Sequence, residues 1–168
     1  MAAATRGAAG VGGGGACPVR RRMHRALPHT ADAGFLAAAS DLPALFREAA
    51  TALSEISADV SPGVPASVWH AVELEAADLP ALAYAWLNEL ITLRDIHHGA
   101  VVATSLVQVD GPSGDNAVGK WTLRGQVGLR PYIDGGVRAL REPKSATYHG
   151  LVLKRSGGCW TLRAYLDL

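Results

Sequence analysis

One pentapeptide occurs twice in this chain, and it constrains the fold more than any other feature. Asp41-Leu42-Pro43-Ala44-Leu45 and Asp78-Leu79-Pro80-Ala81-Leu82 each open on a carboxylate suited to cap free helical amides. Proline follows in the first turn, where its missing N–H costs no hydrogen bond. Two helices are expected to begin here by the same capping solution. Behind the first, Leu42, Leu45, Phe46, Ala49, Leu53 and Ile56 recur at spacings of three and four, one apolar face of an amphipathic helix. The second runs to about Ile96 and is apolar nearly all round (Leu82, Ala83, Tyr84, Trp86, Leu87, Leu90, Ile91, Leu93), so it should be the buried one. Asn88 and Glu89 fall off its Leu87/Leu90 stripe, on a partly exposed seam. Asp95, His97 and His98 lack an i,i+4 metal spacing and read as surface residues at the helix end, where histidine suits the dipole.

The rest reads as strand and turn. A short strand from Met23 leads to a turn at 28–32 and an apolar run at 33–39. Residues 68–76 alternate, with Val68, His70, Val72 and Leu74 on one face and Trp69, Ala71, Glu73 and Glu75 on the other. After the second helix come a strand at 101–109, a turn at 110–116, a hairpin partner at 117–128 and a loop at 129–143. A final hairpin pairs 147–154 with 160–167 around Arg155-Ser156-Gly157-Gly158. The order ββαβαββββ is α+β: a single domain with two helices packed on a mainly antiparallel or mixed sheet. It alternates too little for a doubly wound fold. No glycine run has the strand–turn–helix context and lysine of a phosphate-binding loop.

Composition removes whole classes. Of 168 residues 49% are apolar and 18% charged, enough for a core and too much for a disordered chain. Apolar runs break well before the ~18 residues a membrane span needs. Residues 1–22 are Ala, Gly and Arg, including four consecutive glycines, and read as a disordered tail ahead of a domain at 23–168. That tail carries Arg6, Arg20, Arg21 and Arg22 and no acid. The remainder holds 12 Lys/Arg against 15 Asp/Glu, too acidic for an autonomous nucleic-acid binder. Cys17 and Cys159 form no metal spacing, which argues against a zinc ribbon or disulfide scaffold and for a cytoplasmic protein.

Four spots hold reactive groups that composition does not explain. Pro28-His29-Thr30-Ala31-Asp32 packs polar chemistry into a turn, although an aspartate there more often caps a turn than binds metal. Along 160–167, Trp160, Leu162, Ala164 and Leu166 alternate toward the core, leaving Asp167 on the other face beside the last residue, Leu168. Two anionic groups then sit side by side on a patterned strand; a solvated strand end is the plainer reading. Lys144-Ser145-Ala146-Thr147-Tyr148-His149 leads a lysine into a strand, with Thr147 and His149 on one face. Such a lysine could neutralise carboxylates or simply guard an edge. Glu89, in Trp86-Leu87-Asn88-Glu89-Leu90, is the fourth.

Together these segments resemble the archease family: His29-Thr30-Ala31-Asp32-Ala33-Gly34-Phe35, Leu45-Phe46-Arg47-Glu48-Ala49-Ala50, Trp86-Leu87-Asn88-Glu89-Leu90, Lys144-Ser145-Ala146-Thr147-Tyr148-His149 and the closing Asp167-Leu168. The order and spacing match from about Met23 onward. The chain departs from the family in Gly135-Gly136-Val137-Arg138, where a histidine is common, and in Pro143 and Ser145 around the lysine. The resemblance implies a non-enzymatic accessory protein of a GTP-dependent 3'-phosphate RNA ligase, promoting guanylylation and multiple turnover in tRNA splicing and RNA repair. It implies a divalent metal on Asp32, Asp167 and Leu168, with Lys144 and His29 serving ligase activation. Oxygen donors without sulfur suit Ca²⁺ first, with Mg²⁺ or Mn²⁺ as alternatives. RNA would be met only through the ligase, and no membrane is involved. A chaperone-like modulator of tRNA-modifying enzymes is the alternative. A metal-dependent hydrolase fares worst, since no general base or nucleophile pair is identifiable.

Overall fold

The computed structural model describes residues 23–27, 32–112 and 119–168. Both pentapeptides start helices. Asp41 and Asp78 each accept the main-chain N–H three residues on at 2.7 Å, opening α1 (Leu42–Ser57) and α2 (Leu79–Ile96). β1 (Met23–Leu27) and β2 (Asp32–Ala39) precede α1; β3 (Ala58–Val60) and β4 (Val68–Ala76) lie between the helices. β5 (Gly99–Asp110), β6 (Trp121–Pro131), β7 (Val137–Ala139), β8 (Ser145–Ser156) and β9 (Cys159–Asp167) follow, with one 3-10 turn at Tyr132–Asp134.

The strands form two main antiparallel sheets, β1-β2-β9-β8 and β4-β6-β5, and a small β3-β7 pair. The α+β reading therefore holds. The order is ββαββαβββββ, because β3 and β7 add two strands to the expected sequence of elements. They escape pattern reading because three residues cannot display a period and their pairing is distant in sequence. Asp59 and Arg138 tie them across the ladder at 3.0 Å. The supposed loop at 129–143 thus holds the end of β6, the 3-10 turn and β7.

Each helix bridges the sheets: α1 packs on β2 and β5, and α2 on β8 and β4. Between them lies one core drawn from every layer, with Phe35, Phe46, Leu53, Trp86, Leu90, Leu123, Leu129, Leu162 and Leu166 among its fully buried members. Trp86 Nε1 donates to the Phe46 carbonyl at 3.0 Å, so the largest core side chain also satisfies its one polar group and locks α2 to α1. Cys159, buried at the head of β9, is disulfide-bonded, a departure from the expectation of reduced thiols. Motif spacing speaks to zinc ribbons and multi-bridge scaffolds; a single bridge needs no motif. Among the described residues no helix is long and apolar enough to cross a membrane.

β8 and β9 pair in two separate stretches. Ser145 to Thr147 face Asp167 to Tyr165, and Val152 to Ser156 face Arg163 to Cys159. Between them β8 bulges, with Gly150 at φ +68° and the Thr147 hydroxyl accepting the His149 N–H at 2.8 Å. The two-residue alternation of β8 is therefore broken between Thr147 and Val152.

Candidate functional site

Leu162, Ala164 and Leu166 are wholly buried on one face of β9, so Arg163, Tyr165 and Asp167 occupy the other, as the alternation requires. Asp167, exposed, stands at the strand's end. The antiparallel register sets Asp32, the first residue of β2, directly opposite it, and Ser145, the first residue of β8, on its other side. Three strand ends meet at this corner. The expected turn at 28–32 is therefore corrected at its last member: pairing with β9 draws Asp32 into a strand. Residue 29 lies outside the described residues, as does the tail at 1–22.

Lys144 grips the end of β9 twice. Its N–H donates to the Asp167 carbonyl at 2.8 Å, and its Nζ to a main-chain oxygen of Leu168 at 2.9 Å. Directly opposed positions on antiparallel strands bring Cβ atoms within ~4.5–5.5 Å, and like charges there are unfavourable. Asp32 and Asp167 thus occupy opposed register positions, with Lys144 bound to the strand end beside them.

The sheet face beside the corner is covered by Tyr165. A Cβ on Gly34 would lie 2.6 Å from Tyr165 Cδ1, and one on Gly150 2.7 Å from Cε2, so the ring lies flat across both neighbouring strands where glycines admit it. This explains the glycine two residues after Asp32 in steric terms. Behind the corner, α2 contacts β8 through Asn88, whose Oδ1 accepts the Ala146 N–H at 3.0 Å, and through Tyr84, stacked on Tyr148 at 3.9 Å between centroids. The clear pKa shifts belong to another sheet. Glu75 is held below its ordinary value by the ammonium of Lys120, 2.6 Å away, and Lys120 is raised in return.

Among the described side chains no three His, Cys, Asp or Glu converge as a metal cage. The sequence model of the Archease protein family (MTH1598/TM1083) matches residues 24–168. The chain belongs to the archease family. It is similar to the archease of Methanothermobacter thermautotrophicus, 32% identical over 139 residues, spanning 83% of this chain and 94% of that protein. The archease of Pyrococcus furiosus is 29% identical over 141 residues, with the same coverage of each chain. The solution structure of Methanobacterium thermoautotrophicum protein 1598 superposes with a TM-score of 0.67 at 29% identity, over 86% of this chain and 98% of that one. The fold is also that of a Thermotoga maritima archease, described as a possible chaperone, with a TM-score of 0.53 at 18% identity over 89% and 100% of the chains.

Within this archease fold, Asp32, Asp167, Leu168 and Lys144 gather at one corner. Glu89 lies on the α2 seam, half-buried. His97 is not a simple surface residue. It caps α2, and its partly buried ring lies 4.3 Å from that of His70, which the sequence spacing of 27 positions could not reveal. Sequence reasoning missed Arg94, a cation at 4% exposure in the last turn of α2. It is the sole charge between Glu89 and Asp95, but a cation in a helix's last turn is too ordinary to signal burial.

Proposed function

We propose that this chain is a metal-binding accessory protein that activates a GTP-dependent 3'-phosphate RNA ligase, promoting guanylylation of the ligase and its multiple turnover in tRNA splicing and RNA repair. The observation that carries this reading is the opposed register of Asp32 and Asp167, with Lys144 bound to the two residues that end β9. Asp32, Asp167 and the terminal oxygens of Leu168 would hold a hard divalent cation, Ca²⁺ before Mg²⁺ or Mn²⁺, which supplies positive charge among anionic oxygens. The protein's own residues do the rest. Lys144 anchors the end of β9 against β8, and Tyr165 covers the neighbouring strands. His29 joins the proposal as a residue serving ligase activation, with Lys144.

The test is an RNA ligation assay with purified ligase, GTP and a broken RNA, with this protein added from catalytic to stoichiometric amounts. Multiple turnover and ligase guanylylation should both rise at catalytic amounts and be lost with Asp32→Ala. The Thermotoga maritima relative's description as a possible chaperone motivates a second reading, a modulator that keeps tRNA-modifying enzymes from aggregating. Suppression of aggregation that needs matched doses, with no gain in guanylylation, would establish that reading instead.

A further inference from the structure

Arg94 leaves α2 in its last turn and is almost wholly buried, at 4% exposure. A buried guanidinium is costly unless its donors meet acceptors. Its acceptors come mainly from one short segment: Nη1 reaches the Pro143 carbonyl at 3.4 Å and Nη2 the Arg141 carbonyl at 3.5 Å. Nε points to the Tyr132 hydroxyl at 3.5 Å, and the exposed Asp95 carboxylate lies 3.6 Å from Nη1. The fork geometry of arginine suits it to two carbonyls two residues apart, which a single ammonium cannot serve together.

The segment so held is the one that delivers Lys144. Pro143 is buried, Lys144 is exposed, and together with Arg94, Asp95, His98 and Tyr132 they line a cavity of about 420 Å³. On the far side of Lys144, Asn88 of the same helix takes the Ala146 N–H. α2 therefore grips the main chain just before and just after the lysine. The lysine in turn grips Asp167 and Leu168 with its N–H and its Nζ.

We infer that Arg94 is a positioning residue: through the carbonyls of Arg141 and Pro143 it fixes the backbone from which Lys144 binds the end of β9. The inference deepens the activator reading and rests on it for its functional consequence, but its structural content stands apart. Rigid helical support for a lysine on a strand end is what a site needs if its geometry is to be set before a partner arrives.

The test compares wild type with Arg94→Lys and Arg94→Met, reading amide hydrogen exchange residue by residue without metal, then ligase stimulation. Arg94→Lys keeps the charge and loses the fork, so it keeps the experiment decisive if Arg94→Met fails to fold. The expected result is faster exchange at the Lys144 amide by about fivefold, the loss of roughly one hydrogen bond, with Leu90 and Leu162 unchanged. The protein concentration for half-maximal ligase stimulation should rise with it, while the plateau is kept. Unchanged exchange at Lys144 in a folded variant overturns the inference, as does uniform acceleration through the core, which would make Arg94 a general stabiliser. A wild-type protein that fails to stimulate the ligase would defeat the activator reading instead, and the exchange data would still decide the role of Arg94.

Discussion

Asn88 accepts the Ala146 N–H at 3.0 Å while donating through Nδ2 to the Tyr84 carbonyl at 2.9 Å, so one amide ties a helix turn to a strand two residues beyond Lys144. Asn88→Ala leaves the Ala146 donor unmet in a half-buried place, a cost of about 1–3 kcal/mol. The melting temperature should fall by roughly 2–4 °C per kcal/mol for a domain of this size. Asn88→Asp retains an acceptor and should lose less. Thermal denaturation of the three proteins checks the order.

Asp32 and Asp167 predict a change of sign. In chelator, Asp167→Asn removes one of two like charges at opposed positions and should raise stability by a few tenths of a kcal/mol to about 1. With Ca²⁺ at about 100 times its dissociation constant, wild type should gain about 2.7 kcal/mol that the variant lacks. Calorimetric scans with and without Ca²⁺ should therefore rank the two proteins in opposite orders. The same order in both conditions would remove the metal from this corner.

Leu168 predicts that its oxygens matter more than its side chain. Leu168→Ile conserves volume and should be nearly neutral. A C-terminal tag turns the α-carboxylate into an amide, so the proposed donor set loses a full charge and should bind Ca²⁺ more weakly. An N-terminal tag serves as the control. Titration calorimetry on the two tagged forms decides the matter, and equal affinities would exclude the terminal carboxylate as a ligand.

The pair Glu75 and Lys120 gives a pH signature on the other sheet. Because Glu75 is lowered from 4.5 in the fold, its contribution is present above that value and lost as the pH falls through the lowered one. Lys120 is raised from 10.5, so its contribution is complete below that value and lost as the pH rises through the raised one. Both side chains are exposed, and salt should weaken the effect. Lys120→Gln should return the Glu75 carboxyl titration toward 4.5, followed by carbon-13 NMR.

The features legible beforehand were those written in adjacent residues. Asp41 and Asp78 announce their helices through contacts three residues long, and Leu162, Ala164 and Leu166 announce the buried face of β9 through simple alternation. The convergence of Asp32, Asp167 and Lys144 was open to resemblance but not to pattern, because register between β2, β9 and β8 is set by the whole core. β3 and β7 were hidden by brevity. Arg94 was hidden by its ordinary place, since a cation in a helix's last turn is what the dipole already favours. Its carbonyl partners lie 47 and 49 residues away.

The bulge in β8 gives this corner an insulation of its own. From Thr147 to Val152 the strand advances five residues while its partner advances two, from Tyr165 to Arg163. Slack is therefore stored between the turn at Gly157–Gly158 and the lysine. Lengthening or shortening that hairpin tip would be absorbed in the slack rather than transmitted to the pairing of Ser145 with Asp167. The outer half of the hairpin stays tied to the core through Leu153, Trp160 and Leu162, while three extra residues of β8 separate its register from that of the inner half.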